Sequence, residues 1–425
     1  MNALNPPELF TSIGIIIFDL WWFWLPVFLF AIFFNVWMYY IQRKYWISLK
    51  WVLLEVKPPK EIEQSPKIAE AVFAALWAIH GTVGTKIEKY LQGVTQLYVS
   101  FEVVGIGGET HFLIRVPEVF KNFVEAKIYA QYPKAEIQEI EDYVYNLPSG
   151  VLGKDWDLWG TIMQLAKPDS YPIRTYEDFV ELAPKQPMID PMAHLMEAIA
   201  KLRGGEQIWL QFVIRPTDDS WVNKGNELVG KLMGRPALQK SNLFAEEIAS
   251  WARITRTALT ELVTGKIVEV APNKKEEKKQ PSMMQFLSPG ERGVVEMIER
   301  KMSKKTFEAR IQFVYLAKKD VFAKPNVAMV MGFFNQFATV HLNSLKPNKQ
   351  YTTKANYFFA AERALFKKKI MLRLCQQRPF WEKGVILNIE ELASLWHFPT
   401  ISVEAPMLPV VEAKKSGPPA GLPVV

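Results

Sequence analysis

The chain has 425 residues, more than one ordinary hydrophobic core requires, so two or three domains are expected. Its formal charge of +7 is a mild basic excess that fits a membrane surface or a polyanion and singles out neither. Cys375 is the only cysteine, which excludes an internal disulfide framework and a thiolate metal cluster and fits a reducing compartment.

Residues 20–42 read LWWFWLPVFLFAIFFNVWMYYIQ without one charged side chain, long enough to cross a hydrocarbon layer of about 30 Å. A cleaved signal peptide would need basic residues before the apolar run and small ones after it. Here Glu8 and Asp19 precede and bulky Tyr and Trp follow, so a retained transmembrane helix is expected. Trp21, Trp22 and Trp24 at one end, with Tyr39, Tyr40, Tyr45 and Trp46 at the other, suit two interfacial belts. Arg43, Lys44 and Lys50 follow the run and nothing basic precedes it, which predicts residues 1–19 outside and the bulk in the cytoplasm of a single-pass plasma (inner) membrane protein. Pro26 is expected to kink the helix.

The alternation Val52, Leu54, Val56 predicts a half-buried strand that KPPK ends. Ser65-Pro66 is a helix start, followed by Ile68, Val72, Ala75, Leu76 and Ile79 at helical spacing. Two strands then flank Gly107-Gly108: Leu97, Val99, Phe101 and Val103 share one face before the turn, and Phe112, Ile114 and Val116 after it. Pro117 opens a helix with the stripe Phe120, Phe123, Val124, Ile128, and residues 135–143 supply a last strand. The order is β-α-β-β-α-β, that of a ferredoxin-like sandwich.

The same order recurs with an interruption. Residues 158–165 form a strand candidate, Asp190-Pro191 starts a helix carrying Met192, Leu195, Met196, Ile199 and Leu202, and Ile208 to Ile214 alternate. The next comparable strand runs from Phe307 to Tyr315, followed by a helix with Val327, Val330, Met331, Phe334 and Phe337 and a weak strand near Val340. Between them, Asp218 or Asp219 and Asn242 cap helices expected to form a hairpin standing off the domain, and the stretch from Lys266 is a charged loop. A helix near 356–376 and an Asn388–Glu391 capping box complete the legible part.

The expected fold class is therefore α+β: an N-terminal transmembrane helix at 20–42, then two ferredoxin-like (split βαβ) units at 51–145 and 155–345. The second carries a helical insertion at 217–303; residues 346–405 form a C-terminal helical region and 406–425 a Pro/Gly-rich tail.

Catalytic signals fail on inspection. Residues 225–232, GNELVGKL, approach a phosphate-binding loop, but Leu232 stands where a Mg²⁺-holding hydroxyl is needed and no strand delivers the chain, so an amphipathic helix is expected. His194 and Glu197 lie one turn apart without a third ligand. Gly105 to Gly108 precedes a strand, which makes it a hairpin turn and not a dinucleotide loop. No catalytic residue, cofactor or metal is assigned, and the chain is expected not to be an enzyme. The residues proposed for polyanion contact are Lys274, Lys275, Lys278 and Lys279, Lys304 and Lys305, and Lys367, Lys368 and Lys369, the last run flanked by Tyr357, Phe358, Phe359 and Phe366. The bland alternative is solvated lysines and core aromatics; the partners it leaves open are nucleic acid and anionic lipid.

One resemblance spans nearly the whole chain. The apolar helix, then VSFEVVGIGGETHFLIRVPEVFKNFVEAKIYAQYPKAEIQEIEDY, IDPMAHLMEAIAKLRGGEQIWLQFVIRP, LNIEELASLWHFP and EAKKSGPPAGLP, is similar to the N-terminal region of membrane-anchored HerA-like ATPases. These belong with conjugation and type IV secretion coupling proteins and are familiar in bacteria of the candidate phyla radiation. The Walker motifs of those relatives lie in a motor domain that follows, so no catalytic residue carries over. The resemblance implies an accessory or docking subunit, with the ATPase on another polypeptide or on a further part of the same one, and with membrane lipid and secretion-channel subunits as partners. The alternative is a membrane-tethered nucleic-acid-binding module, and self-association is left open.

Overall fold

Each strand with apolar residues on alternate positions buries one face, and a single antiparallel sheet of nine strands satisfies all of them. This computed structural model describes residues 21–59, 65–81, 85–147, 152–181, 190–233, 288–356, 358–380 and 383–400. Strands β1 (Trp51–Lys57), β2 (Val99–Ile106), β3 (Glu109–Pro117) and β4 (Glu136–Ile140) lie in the order β4-β1-β3-β2. Strands β5 (Trp156–Leu165), β6 (Glu206–Pro216), β7 (Thr306–Lys318) and β8 (Leu345–Pro347) continue it as β6-β7-β5-β8. The seam is an eight-residue antiparallel pairing of β2 with β6, from Val99 opposite Ile214 to Ile106 opposite Gln207. Read outwards from it, both halves run second, third, first, fourth strand. Strand β9 (Val385–Asn388) pairs with the part of β7 that β5 leaves, Thr306 to Ala309.

The β2–β3 hairpin turns on Gly107 and Gly108, whose φ angles of 59° and 102° suit glycine and strain any side chain. Pairing Phe101 with Ile114 and Val103 with Phe112 then puts all four on one face. That face carries helices α2 (Ser65–Leu76) and α3 (Lys121–Gln131) over the first half, and α4 (Tyr176–Glu181), α5 (Ala193–Ala200) and α8 (Lys324–Asn335) over the second. Their apolar sides merge into one core from Leu54 to Phe398. The opposite face buries a smaller cluster, Leu53, Val104, Trp209, Val314 and Leu316, beneath α9 (Ala360–Gln377).

Helix α1 (Trp21–Ser48) precedes the sheet and contains Pro26. An 18-residue stretch of it has a mean hydropathy of 1.7, long and apolar enough to cross a membrane. Its last turn enters the body through stacked rings: Trp46 and Trp51 each lie 4.8 Å from Tyr98, and Phe380 closes the group at 6.0 Å from Tyr98.

Three details differ from the expectations. The helix after Pro117 begins as a 3-10 turn, Glu118–Phe120. The last strand of the second half lies at Leu345–Pro347, while Val340 is exposed, and the carbonyls of residues 340 and 341 accept from Lys167 Nζ instead of a neighbouring strand. Between β6 and β7, α6 (Val222–Leu232) packs on α7 (Pro289–Ser303) through Val229, Met233, Val295 and Ile298. Helix α7 was not among the expected elements, and it is clamped to the sheet body by the fully buried Lys301. The expected helix from Asn242 and the charged loop from Lys266 lie outside the described residues.

Candidate functional site

The nine lysines do not form one surface. Lys274, Lys275, Lys278 and Lys279 lie outside the described residues. Lys304 is engaged internally, 2.7 Å from both Glu70 and Glu390, and these carboxylates hold its pKa above the ordinary lysine value against the opposing effect of burial. Lys305 Nζ sits 3.9 Å from the centre of the Trp77 ring. Lys367 donates to the carbonyls of residues 349, 352 and 354, and Lys368 is paired with Asp157. Lys369 is exposed, one turn from Phe366, and Phe358, Phe359 and Phe366 are exposed as well and not core aromatics.

The segment GNELVGKL is helical, inside α6, as its amphipathic pattern predicts. His194 and Glu197 are exposed, and Glu197 pairs with Lys201 at 2.6 Å. Among the described residues no three His, Cys, Asp or Glu side chains are placed to hold a metal.

The chemistry of the body is concentrated in two buried charge networks that the spacing of residues does not announce. The first lies on the α9 face. Glu102 of β2 accepts from Arg378 Nε at 2.6 Å and Nη2 at 3.0 Å, from Tyr143 Oη at 2.6 Å and from Ser100 Oγ at 2.6 Å. Arg378 follows α9 with φ 47°, a left-handed conformation rare for a side chain of its size, and its remaining donors reach Asp142 at 2.7 and 2.9 Å. Burial alone would lower the guanidinium pKa, but Glu102, Tyr143 and Asp142 hold it well above its ordinary range. Gln211 of β6 donates to Tyr143 Oη at 2.8 Å and to the Cys375 carbonyl at 3.2 Å, so the network crosses the seam between the halves. Burial pushes the Cys375 thiol up to about 12, so it stays protonated and is a poor nucleophile.

The second network surrounds α10 (Ile389–Leu395), within a run from 385 to 400 in which every residue is buried. The Asn388–Glu391 capping box forms, with both bonds at 2.8 Å. Glu391 also accepts from the Ile173 amide at 2.8 Å and pairs with Lys301 at 3.1 Å, neither side chain exposed. Burial raises the Glu391 pKa despite that lysine. Glu390 accepts from Thr175 Oγ1 at 2.5 Å and pairs with Arg300 at 3.1 Å. Beyond the helix, Asp190 binds His397 at 2.8 Å and accepts from the Thr400 amide at 2.7 Å and hydroxyl at 2.9 Å. Burial would raise the Asp190 pKa, but His397 and the backbone donors bring it below the ordinary aspartate value. Trp396 meanwhile lies 4.7 Å from Phe101 and 6.1 Å from Phe73, in the first half. The segment 385–400 thus ties the two halves to each other and to α7.

Apart from Arg300, whose side chain is 36% exposed, and the partly exposed Asp142, these charges are engaged with one another and closed to solvent, an arrangement that fixes geometry. Two surface recesses accompany them. One of about 340 Å³ is lined by Ser170, Trp221, Lys224, Lys231 and Lys383 with Asp169 and Glu227. The other, of about 280 Å³, is lined by Trp51, Arg115, Glu139, Asp142 and Tyr145.

Over residues 47–408 the sequence matches the family described as a domain of unknown function, DUF8128. The match begins where the apolar helix ends. No curated protein matches the chain.

Proposed function

Because the chain belongs to the DUF8128 family, whose matched region follows an apolar helix here, we propose that it is a membrane-anchored, non-catalytic docking component. In this reading the α+β body positions a HerA-like ATPase at the membrane as part of a conjugation or type IV secretion-like apparatus. The observation that carries the membrane part is the continuity of α1 with the body: the helix runs through the Trp46–Trp51–Tyr98 stack into β1 with two intervening residues. Such a joint transmits orientation from the bilayer to the sheet. At about 1.5 Å per residue the 28 residues of α1 extend roughly 42 Å, more than a hydrocarbon layer of about 30 Å. Arg43, Lys44 and Lys50 support a cytoplasmic body and an outward N-terminus. The strand order on either side of the seam, with paired helices on one face, supports two ferredoxin-like halves fused edge to edge. The resemblance of the quoted blocks supports the ATPase partner.

Purification of the full chain from native membranes in mild detergent, after brief cross-linking, tests the reading. A chain carrying Walker motifs is expected at stoichiometric yield; an extract with no ATPase and no channel subunit overturns it. A second reading, a membrane-tethered nucleic-acid binder, is favoured by Lys369 beside the exposed Phe366 on α9. It predicts binding that weakens steeply with salt and falls in Phe366→Ala/Lys369→Ala, and filter binding absent at low salt removes it.

A further inference from the structure

A short helical turn lies against α1 and leaves its apolar residues uncovered. Residues 88–92 form a single π-helical turn, Glu88–Gln92, preceded by Lys86 and Ile87 in helical conformation. Ile87 and Leu91 are 60% and 62% exposed, and Tyr90 is 39% exposed. The turn is fastened to the helix at three points. Trp37 Nε1 donates to the Tyr90 carbonyl at 3.0 Å, and the Tyr90 ring lies 5.9 Å from that of Phe34. Gly93, at φ 72°, brings its backbone so close to α1 that a Cβ there would meet the Ile41 carbonyl at 2.5 Å. Its start is capped by Glu88, which accepts from the Thr85 amide at 3.0 Å.

We propose that this turn is a membrane-seating element: Ile87 and Leu91 enter the boundary between acyl chains and headgroups, while Lys86 and Lys89 reach lipid phosphates. The proposal rests on α1 spanning the bilayer. Three observations select a lipid surface as the occupant. The uncovered side chains continue the exposed apolar surface of α1, where Phe30 and Phe33 are 65% and 60% exposed. Both lysines are exposed beside them, the pattern of an interfacial helix whose cations snorkel to headgroups. The level of attachment also fits: the turn contacts α1 from Phe34 to Ile41, roughly 20–30 Å along the helix from Trp21 at about 1.5 Å per residue, so its far end lies one hydrocarbon thickness of about 30 Å away. The turn therefore sets the water–lipid boundary between Phe34 and Ile41, and the last two turns of α1, with Arg43 and Lys44, pass through the headgroups into water. It acts as a collar that fixes how far the body stands from the membrane.

Spin labels on the full chain in vesicles of phosphatidylcholine and phosphatidylglycerol (3:1) test this. Cys375 is buried and its thiol protonated, so introduced cysteines are labelled selectively. Labels at Ile87→Cys and Leu91→Cys are expected to collide with oxygen more than with a water-soluble nickel chelate, at a depth of about 5–10 Å. Phe30→Cys reports the hydrocarbon interior and Val340→Cys, on the loop before β8, reports water. If Phe30 is immersed while positions 87 and 91 behave like 340, the collar is wrong and the anchor stands. If 87 and 91 are shielded from both reagents, a protein surface covers them and the proposal fails. If Phe30 itself is aqueous, the span fails and the proposal with it.

Discussion

Glu102–Arg378 and Glu391–Lys301 are both ion pairs without solvent exposure, on opposite faces of one sheet, and they are satisfied differently. Arg378 is shared between two carboxylates, and Glu102 in turn takes hydrogen bonds from Tyr143 and Ser100. Lys301 has one carboxylate and one carbonyl, that of Ile386 at 2.8 Å. Taking charges out of water costs several kcal/mol per ion, so what matters is the state of the partner left behind when one member is removed. On the α9 face that would be the fully buried Glu102 with its cation gone, beside Asp142, which keeps the Arg115 cation at 3.9 Å. Around α10 it would be a single carboxylate that burial already disposes to take a proton. The first network is therefore the more brittle.

Arg378→Met is expected to have the largest effect, a loss of about 3–5 kcal/mol in denaturant unfolding of the detergent-solubilised chain. It should also make Cys375 open to alkylation, which the native protein resists; an unchanged midpoint and a protected thiol would break the comparison. Lys301→Met should cost about 1–3 kcal/mol, because Glu391 can become neutral and keep its backbone donors. Adding Glu391→Gln to it should cost less than Glu391→Gln alone, with a coupling of about 1–2 kcal/mol in a double-mutant cycle. Additive losses would show that the pair is not a unit.

A pH series sharpens the contrast within the α10 network. The folded pKa of Asp190 is lowered, so its stabilisation is present above the ordinary aspartate pKa of about 3.9 and is lost as pH falls through the folded value. Glu391 is raised, so its linkage has the opposite sign: relative stability grows as pH falls through its folded pKa towards the ordinary glutamate value of about 4.3. Asp190→Asn should therefore differ most from the parent near neutrality and converge with it in acid, while Glu391→Gln diverges from the parent as pH falls. Matching profiles would refute the assignment. The smallest effect belongs to the exposed Glu197–Lys201 pair, where Lys201→Ala should leave the unfolding midpoint of the same assay unchanged, because solvent screens the pair.

Most of the strands could be read from the chain because period-2 alternation reports burial locally. Val52, Leu54 and Val56, or Phe112, Ile114 and Val116, need no knowledge of their partners to be placed on an inner face. The Asn388 capping box was legible for the same reason, since its two bonds join residues three apart. Helix α7 also opens on a capping box, Ser288-Pro289-Gly290-Glu291, but the charged sequence before it hides the signal. Apart from the Asn388 box, the buried networks gave no local sign, because Arg378 reaches a carboxylate 276 positions earlier and His397 one 207 positions earlier. A glutamate such as Glu102, between Phe101 and Val103, reads as solvent-facing until a second layer covers that side of the sheet.

The amino-acid sequence by itself determined the apolar helix, the alternating strands, the Gly107-Gly108 hairpin and the absence of a nucleotide loop at residues 225–232, all of which depend on neighbours within a few positions. Tertiary structure alone decided that β2 meets β6 to make one sheet, that residues 385–400 lie wholly inside it, and that four of the lysines in basic runs are spent on contacts within the chain. The reason is that edge pairing and charge burial are properties of surfaces brought together from distant parts of the chain, and a surface has no partner until the fold supplies one.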